Sequence, residues 1–275
     1  MTLAEQKSFF EEEGYLIVEN LLSPEEVEEC QVEIHRLHTL AAEIESDGET
    51  HKTNPARGHF QREPYAKDGV QGEGLPVLRK AEMTREYSDV FRRLAIHPNL
   101  IRVVQNLTDS EDLLLFRSTL MFKPAFHGSS HGLHQDSAYW PMEPPSLVTV
   151  SIALNDATPE NGCFKVIPKS HNWGVQEWGR IAREQDEDLT EREDVDRSGQ
   201  IDVPLTAGSA LFFHSLMVHG SGPNQSPRPR NTALYAYFSP KVHYAPRGGK
   251  PTEKSFPVAA GLGGRAELTL VAKNA

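Results

Sequence analysis

The stretch HGLHQDSAYW, residues 131–140, contains two side chains that could bind a metal ion. His134 and Asp136 are two residues apart, with Gln135 between them. In an extended chain, residues i and i+2 point to the same face, so His134 and Asp136 would lie side by side while Gln135 points away. His219, near the end of LFFHSLMVHG, is the best candidate for a third ligand. Two histidines and one carboxylate on one face of an octahedral ion leave positions open for reactants, as in non-haem Fe(II) oxygenases.

An isolated His-x-Asp pattern occurs by chance in many proteins, and a pair of surface turn residues is then the better explanation. Two residues that follow His219 shift the balance towards a metal site. Arg230 lies at the start of the predicted strand NTALYAYF, whose antiparallel return could bring its guanidinium beside the same pocket. Arginine suits a two-point grip on a carboxylate. Ser221 could point to the same side as His219 and donate its hydroxyl to that carboxylate.

Composition excludes several classes of function. The formal net charge of the 275 residues is −11, and Lys and Arg form no cluster of the kind that nucleic-acid binding needs. Cys30 and Cys163 are far apart and belong to no CxxC pattern, which argues against a disulfide framework or a zinc knuckle. The sequence shows no signal peptide, no address tag and no apolar run of membrane-spanning length. We therefore expect a cytoplasmic protein that acts on a small molecule and binds neither nucleic acid nor membrane.

The first part of the chain alternates helical and irregular patterns. Residues 14–18 (GYLIV) predict a short buried strand, and residues 23–26 (SPEE) predict the capped start of a helix. A second helical stretch is predicted over 85–107, interrupted near His97-Pro98. Residues 46–75 are polar and contain several Gly and Pro residues, which predicts a long loop that is a lid, a binding loop or a disordered segment.

From about residue 112 the pattern favours strands. The short apolar or alternating runs are separated by Gly, Pro, Asn and Asp turns, as in an all-β sandwich or barrel. They are LLLFRSTLMF, LVTVSIALND, GCFKVIP, GSALFFHSLMVHG and TALYAYFSP. A charged block, roughly Arg183–Arg197, reads as a solvated insertion. We predict one catalytic domain over 1–275, mostly β with helices (α+β): a helical support layer over about 1–110 and a jelly roll (double-stranded β-helix) over about 111–275.

Three segments together resemble the phytanoyl-CoA dioxygenase family of Fe(II)- and 2-oxoglutarate-dependent oxygenases. They are LMFKPAFHGSSHGLHQDSAYWP, NDATPENGCFKVIPKSH and GSALFFHSLMVHGSGPNQSPRPR, with a looser match at GYLIVENLLSPEEV. The resemblance implies that His134, Asp136 and His219 bind Fe(II). It also places the co-substrate arginine at Arg230 and the accompanying serine at Ser221.

Further co-substrate contacts follow from the same resemblance. It matches a family lysine to Lys80. It also places Thr119 and Ser151 at positions that line the 2-oxoglutarate site. At these two positions the phytanoyl-CoA enzyme itself is expected to have larger side chains. The implied reaction uses O2, converts 2-oxoglutarate to succinate and CO2, and hydroxylates a C–H bond of a small metabolite or acyl thioester. A carboxylate at Asp136 favours hydroxylation over halogenation, which would need a small residue there.

Other residues have both a functional and a structural interpretation. Tyr139 and Trp140 could form a substrate wall or pack against the helical layer. His171 and His214 could belong to a three-histidine site, but core or turn histidines are the better interpretation. The remaining candidates for the pocket or its surroundings are His127, His131, Arg57, Arg62 and Lys67.

Two alternative functions stay open at this point. One is a metal enzyme of another class on the same fold, such as a zinc-dependent isomerase or hydrolase, and the other is a binding module without catalysis. The substrate and the oligomeric state cannot be read from the sequence.

Overall fold

The computed structural model describes residues 1–46, 51–66, 68–178, 195–246 and 251–272. Lys67 and all but the last residues of the Arg183–Arg197 block lie outside these ranges. The α-helices are α1 (Leu3–Glu13), α2 (Pro24–Ser46), α3 (Asp89–Leu94) and α4 (Pro98–Thr108). The strands are β1 (Tyr15–Val18), β2 (Phe60–Arg62), β3 (Val70–Gln71), β4 (Leu75–Pro76), β5 (Leu78–Glu82), β6 (Leu113–Lys123), β7 (His131–His134), β8 (Met142–Glu143), β9 (Val148–Ala153), β10 (Phe164–Val166), β11 (Ile201–Val203), β12 (Ala210–His214), β13 (His219–Ser221), β14 (Arg230–Phe238), β15 (His243–Tyr244), β16 (Glu253–Ala260) and β17 (Glu267–Val271).

Two antiparallel sheets form the jelly roll. The larger sheet has the order β1-β12-β9-β14-β6-β16-β17, and β5 adds to β6 with β2 beside it. The smaller sheet has the order β11-β10-β13-β7. The predicted jelly roll with a helical layer is confirmed, and three strands from before residue 110, namely β1, β2 and β5, also join the larger sheet.

The helices cover the outer face of the larger sheet. Helix α2 begins as predicted, because the Ser23 Oγ accepts from the Glu26 N–H and the Glu26 carboxylate accepts from the Ser23 N–H. The helical stretch predicted over 85–107 is confirmed as α3 and α4, separated at His97. The core between helices and sheet is built from fully buried side chains such as Leu37, Phe91, Val104, Leu120 and Tyr235.

A second core fills the space between the two sheets. It includes Cys163, Phe164, Leu211, Phe213 and Met217. Because side chains alternate along a strand, each central strand of the larger sheet serves both cores. In β9, for example, Val150 and Ile152 pack towards the helices, whereas Ala153 packs towards the smaller sheet.

Two sequence predictions need correction. The run LFFHSLMVHG is not one strand: its first half is in β12 of the larger sheet, and after a turn His219 begins β13 of the smaller sheet. The loop predicted over 46–75 contains β2, β3 and β4, and Arg62 within it forms an ion pair with Glu45 of α2. The sequence did not predict these strands because β2 is only half-buried and β3 is exposed, so neither needs a run of apolar residues. Among the described residues, no helix is long and apolar enough to cross a membrane.

We expect the Tyr237→Phe substitution to destabilise the protein by about 1–3 kcal/mol. The fully buried Tyr237 hydroxyl donates to the Ala95 carbonyl at 2.7 Å and so ties β14 to the end of α3. Phe at this position leaves that carbonyl without a partner. Urea unfolding measures the change. The control is Tyr65→Phe, since Tyr65 is 72% exposed; equal stability of the two variants would contradict this role of Tyr237.

Candidate metal centre and co-substrate pocket

Two histidines face each other across neighbouring strands of the smaller sheet. His134 ends β7 and His219 begins β13, and the two are direct partners in the strand register. Their rings lie 4.3 Å apart between centroids. Because the two strands are joined by a hydrogen-bonded ladder, the relative position of the rings is set by the backbone.

Asp136 reaches the same point because the chain stays extended through Gln135. Gln135 has φ −113° and ψ 128°, and a single turn of 3₁₀ helix begins at Asp136. The Gln135 side chain points away from the histidines, as predicted, and is completely buried. Its amide donates to the carbonyls of Gly174 and Leu216, and its oxygen accepts from the Gln176 N–H and the Trp178 indole. These four bonds hold the segment between the two candidate ligands.

The hydrogen bonds of both histidines leave one ring nitrogen of each available. The Nδ1 of His134 lies 2.9 Å from the Gly132 carbonyl, and the Nδ1 of His219 lies 2.9 Å from the Met217 carbonyl. A carbonyl only accepts, so each Nδ1 carries the proton and each Nε2 offers a lone pair. The Nε2 atoms of His134 and His219 lie 3.7 Å and 4.0 Å from the Asp136 Oδ1.

The three groups fit a divalent metal ion. All three residues are buried, and their ligand atoms lie within 4.8 Å of one another. Burial alone would raise the pKa of Asp136, but the nearby His219 and His134 lower it to about 2. Burial together with His134 lowers the pKa of His219 to about 4. At neutral pH the centre therefore combines an ionised carboxylate with a neutral His219, the forms that bind metals.

Thr149 holds the carboxylate from the opposite sheet. Its Oγ1 donates to the Asp136 Oδ2 at 2.8 Å, inside the buried interior of the jelly roll. Hydrogen bonds of this kind orient a ligand oxygen and leave the other oxygen for the metal. The Oδ1 of Asp136 is the atom that faces both histidines.

Arg230 lies in the same cavity as the three candidate ligands. It begins β14, is 3% exposed, and its guanidinium carbon lies 4.9 Å above the Phe164 ring, which itself is 6.1 Å from the His219 ring. Burial lowers the pKa of Arg230 to about 10, so it is still charged at neutral pH. Its Nε has no hydrogen-bond partner, and Arg230 forms no ion pair with any described residue. A buried cation without a counterion indicates a binding site for an anion.

The other predicted co-substrate residues are divided between the cavity and its surroundings. Ser221 and Lys80 line the cavity, but the Lys80 ammonium is paired with Glu82, and burial lowers its pKa to about 8. Thr119 is buried on β6, where its Oγ1 accepts from the Arg117 Nε. Ser151 is buried, and its hydroxyl has no hydrogen-bond partner among the residues that the structure describes.

The aromatic and histidine candidates are also separated by the structure. Trp140 lines the cavity and packs on Phe116 at 4.7 Å, whereas Tyr139 contacts the His134 ring from 6.4 Å. His131 lines the cavity as well, next to His134. His171 and His214 lie together in a different depression against α1, where the His214 Nδ1 accepts from the Leu216 N–H.

Sequence reasoning missed three cations of the cavity: Arg79, Arg117 and Lys123. Lys123 donates to the carbonyls of Ser129 and Gly222, and Arg79 contacts His131. The alternation in LLLFRSTLMFK could have predicted two of them to lie together, because Arg117, Met121 and Lys123 share one face of β6. That face looked like the solvent side of a strand, and only the second sheet makes it an interior.

The chain is similar in sequence and in structure to known proteins. A family model described as "Phytanoyl-CoA dioxygenase (PhyH)" matches residues 10–232. An ectoine dioxygenase from Nocardia farcinica is 29% identical over 252 residues, which cover 86% of this chain and 78% of that protein. The peroxisomal phytanoyl-CoA dioxygenase of Rattus norvegicus is 26% identical and covers 87% and 69%. The solved structure of the epimerase SnoN, in complex with Fe3+, alpha ketoglutarate and nogalamycin RO, is 25% identical with a TM-score of 0.67 and covers 90% of this chain and 87% of its own.

We expect Thr149→Val to weaken metal binding by about 10- to 100-fold, because the Asp136 carboxylate loses the bond that orients it. Valine keeps the shape of the side chain. Titration of the metal-free protein with Co(II) against a competing chelator measures the affinity. Thr232→Val is the matched control, since Thr232 is equally buried on the neighbouring strand β14. Equal affinities of the two variants would show that Thr149 does not support the centre.

Proposed function

The chain belongs to the phytanoyl-CoA dioxygenase family of Fe(II)- and 2-oxoglutarate-dependent oxygenases, and we propose that His134, Asp136 and His219 are its iron ligands. Two neutral imidazoles and one carboxylate on one side of the ion are the ligand set of non-haem Fe(II) oxygenases. When bound, Fe(II) with O2 supplies the oxidative decarboxylation of 2-oxoglutarate to succinate and CO2 and the oxidation of the substrate.

The observation that carries the proposal is Arg230, which lies in the cavity of the triad and forms no ion pair with any described residue. 2-Oxoglutarate has two carboxylates, and a ligand held by iron through one end presents the other to a nearby cation. Arg230 offers a planar fork for that carboxylate. Ser221 lies on the same strand as His219 and lines the cavity, which supports our proposal that its hydroxyl is a second donor.

We also propose that the burial of Arg230 keeps water away from the end of the co-substrate that it binds. Arg230 is almost completely buried, and the Phe164 ring lies against its guanidinium. An Arg–carboxylate pair in such a place is weakly screened, and is therefore stronger than one at the surface. Lys80 and Thr119 stay predictions as co-substrate contacts, because Lys80 is engaged by Glu82 and Thr119 by Arg117.

We further propose that the substrate is a small molecule, a metabolite or an acyl thioester, that is hydroxylated at a C–H bond. Relatives named for ectoine and for phytanoyl-CoA support this range of substrates. Trp140 lies in the cavity wall and is the stronger of the two aromatic candidates for substrate contact; Tyr139 is the weaker. A cytoplasmic location and the absence of a nucleic-acid partner remain part of this proposal.

Asp136→Ala is expected to abolish O2-dependent succinate formation, because two histidines alone bind the metal poorly and the lost carboxylate is the only anionic ligand of the three. Succinate is quantified with Fe(II), ascorbate and labelled 2-oxoglutarate. His134→Ala should behave in the same way. Turnover at the wild-type rate in either variant would rule out this centre.

Arg230→Gln should weaken 2-oxoglutarate binding by about 10- to 100-fold, the effect of losing hydrogen bonds to a charged group. Calorimetric titration of the Mn(II)-loaded protein with 2-oxoglutarate measures it without turnover. The control is Arg228→Gln, because Arg228 is exposed and only two residues away. Wild-type affinity in Arg230→Gln would favour a metal enzyme of another class, and wild-type binding that never yields succinate would favour a binding module.

A further inference from the structure

We infer that the primary substrate carries an anionic group, a carboxylate or a phosphorus oxyanion, and that Arg117 binds it. The inference rests on the proposed function, since it takes Arg230 to bind 2-oxoglutarate in the same cavity. Arg117 lines the same cavity as the candidate metal ligands, close to Trp140. It is distinct from the residues that hold the proposed co-substrate.

The strand register places Arg117 level with the candidate metal centre. Arg117 is the partner of Ala236 on β14, and Ala236 is the partner of Thr149 on β9, which binds Asp136. Two strand spacings separate Arg117 from Thr149, roughly 10 Å between their backbones. Arg117 and Thr149 therefore stand on one level of the larger sheet.

The backbone of Arg230 lies at a different position along the strands of the larger sheet. It pairs with Lys123, six residues along β6 from Arg117, which corresponds to roughly 20 Å of strand. Its guanidinium lies over Phe164, on the side of the His219 ring. Arg117 and Arg230 thus start from different levels of the larger sheet, and a co-substrate held by Arg230 leaves Arg117 for the substrate.

The contacts of Arg117 leave its guanidinium only partly satisfied. The Nε donates to the Thr119 Oγ1 at 3.0 Å, and Nη2 donates to the Glu82 Oε1 at 3.4 Å, a long bond. The same Glu82 oxygen is the partner of the Lys80 ammonium. One carboxylate therefore serves two cations, which leaves a net positive charge at this place. The Arg117 side chain is 30% exposed, so a ligand can reach it.

This positive charge is local, because the chain as a whole carries −11. The side chains that line the cavity include those of five Lys and Arg residues and one Asp, namely Arg79, Lys80, Arg117, Lys123, Arg230 and Asp136. A 2-oxoglutarate dianion and Asp136 offset the charges of a ferrous ion and Arg230. Arg79 and Lys123 lie near the buried Glu63 carboxylate, and burial lowers the pKa of both side chains. Among the described residues, Glu82 is then the carboxylate that pairs with both Lys80 and Arg117. A cavity with such an excess favours an anionic ligand and raises its local concentration.

The wall beside Arg117 suits the remainder of such a molecule. Phe116 and Trp140 pack together at 4.7 Å, and Trp140 presents part of its ring to the cavity. An apolar group next to the anionic end would contact this ring. Anchoring the anion at Arg117 would fix which C–H bond faces the metal centre, which is the role of a substrate-positioning group.

The test uses calorimetric binding to protein that is already saturated with Mn(II) and 2-oxoglutarate, so that Arg230 is occupied. The probes are acetate and methylphosphonate, with acetamide as the neutral match of acetate, at constant ionic strength. We expect one or both anions to bind and acetamide not to bind. Arg117→Gln should weaken the anion by about 10- to 100-fold, and Arg117→Lys, which keeps the charge, should weaken it less.

The control is Arg92→Gln, since Arg92 lies on α3 and pairs with Asp89 outside the cavity. Its anion affinity should equal that of the wild type, and thermal unfolding of each variant confirms that it is folded. Anion binding that is unchanged in Arg117→Gln, or absent from the loaded wild-type protein, would overturn the inference. Failure of the proposed function is a separate result, namely the absence of metal-dependent 2-oxoglutarate binding before any probe is added.

Discussion

The pairing of β7 with β13 is the constraint on which the rest of the candidate site depends. It places His134 opposite His219, and the carbonyls of Gly132 and Met217 then orient both rings so that each Nε2 faces Asp136. These carbonyls belong to the backbone next to each histidine, so ring orientation follows directly from strand geometry. A shift of one residue in this register would turn one histidine to the other face of the sheet.

The larger sheet completes the centre from the other side. Thr149 on β9 holds Asp136, and Arg230 on β14 and Arg117 on β6 bring charges into the interior. Burying cations is costly unless anions accompany them. Glu82 provides part of this compensation for Lys80 and Arg117, and nothing among the described residues provides it for Arg230. The proposed anionic ligands, 2-oxoglutarate and the substrate, would therefore act as counterions for these buried cations.

The segment before the jelly roll contributes more than support. Strand β5 carries Lys80 and Glu82 to the edge of β6, and β2 beside it brings Gln61 to the cavity wall. Glu63, just after β2, is fully buried and accepts from the Ser129 hydroxyl, near the ammonium of Lys123. A stretch that reads as a polar loop thus supplies buried polar groups to the site, because its short strands extend the larger sheet.

The sequence by itself determined the features that depend on neighbouring residues. The spacing of His134 and Asp136 on an extended chain gives them one face, the Ser23–Glu26 capping box begins α2, and the break at His97-Pro98 separates α3 from α4. Each of these follows from local geometry, which is the same wherever the segment lies. His219 and Arg230 were candidates by residue type and by their place in predicted strands, and the similarity of three segments to a known family supported both. No local rule connects them to His134 and Asp136.

Only the tertiary structure decided which distant residues meet. It split LFFHSLMVHG between two sheets and gave the buried Gln135 side chain four hydrogen bonds. It also put Arg117 level with Thr149, which binds Asp136, whereas Tyr139 is not among the residues that line the cavity. These outcomes depend on strand registers between residues that are far apart in the chain, such as Tyr15 with Phe213 and Arg117 with Ala236. Alternation along one strand defines two faces, but whether a face meets solvent or a second sheet is decided by the packing of the whole chain.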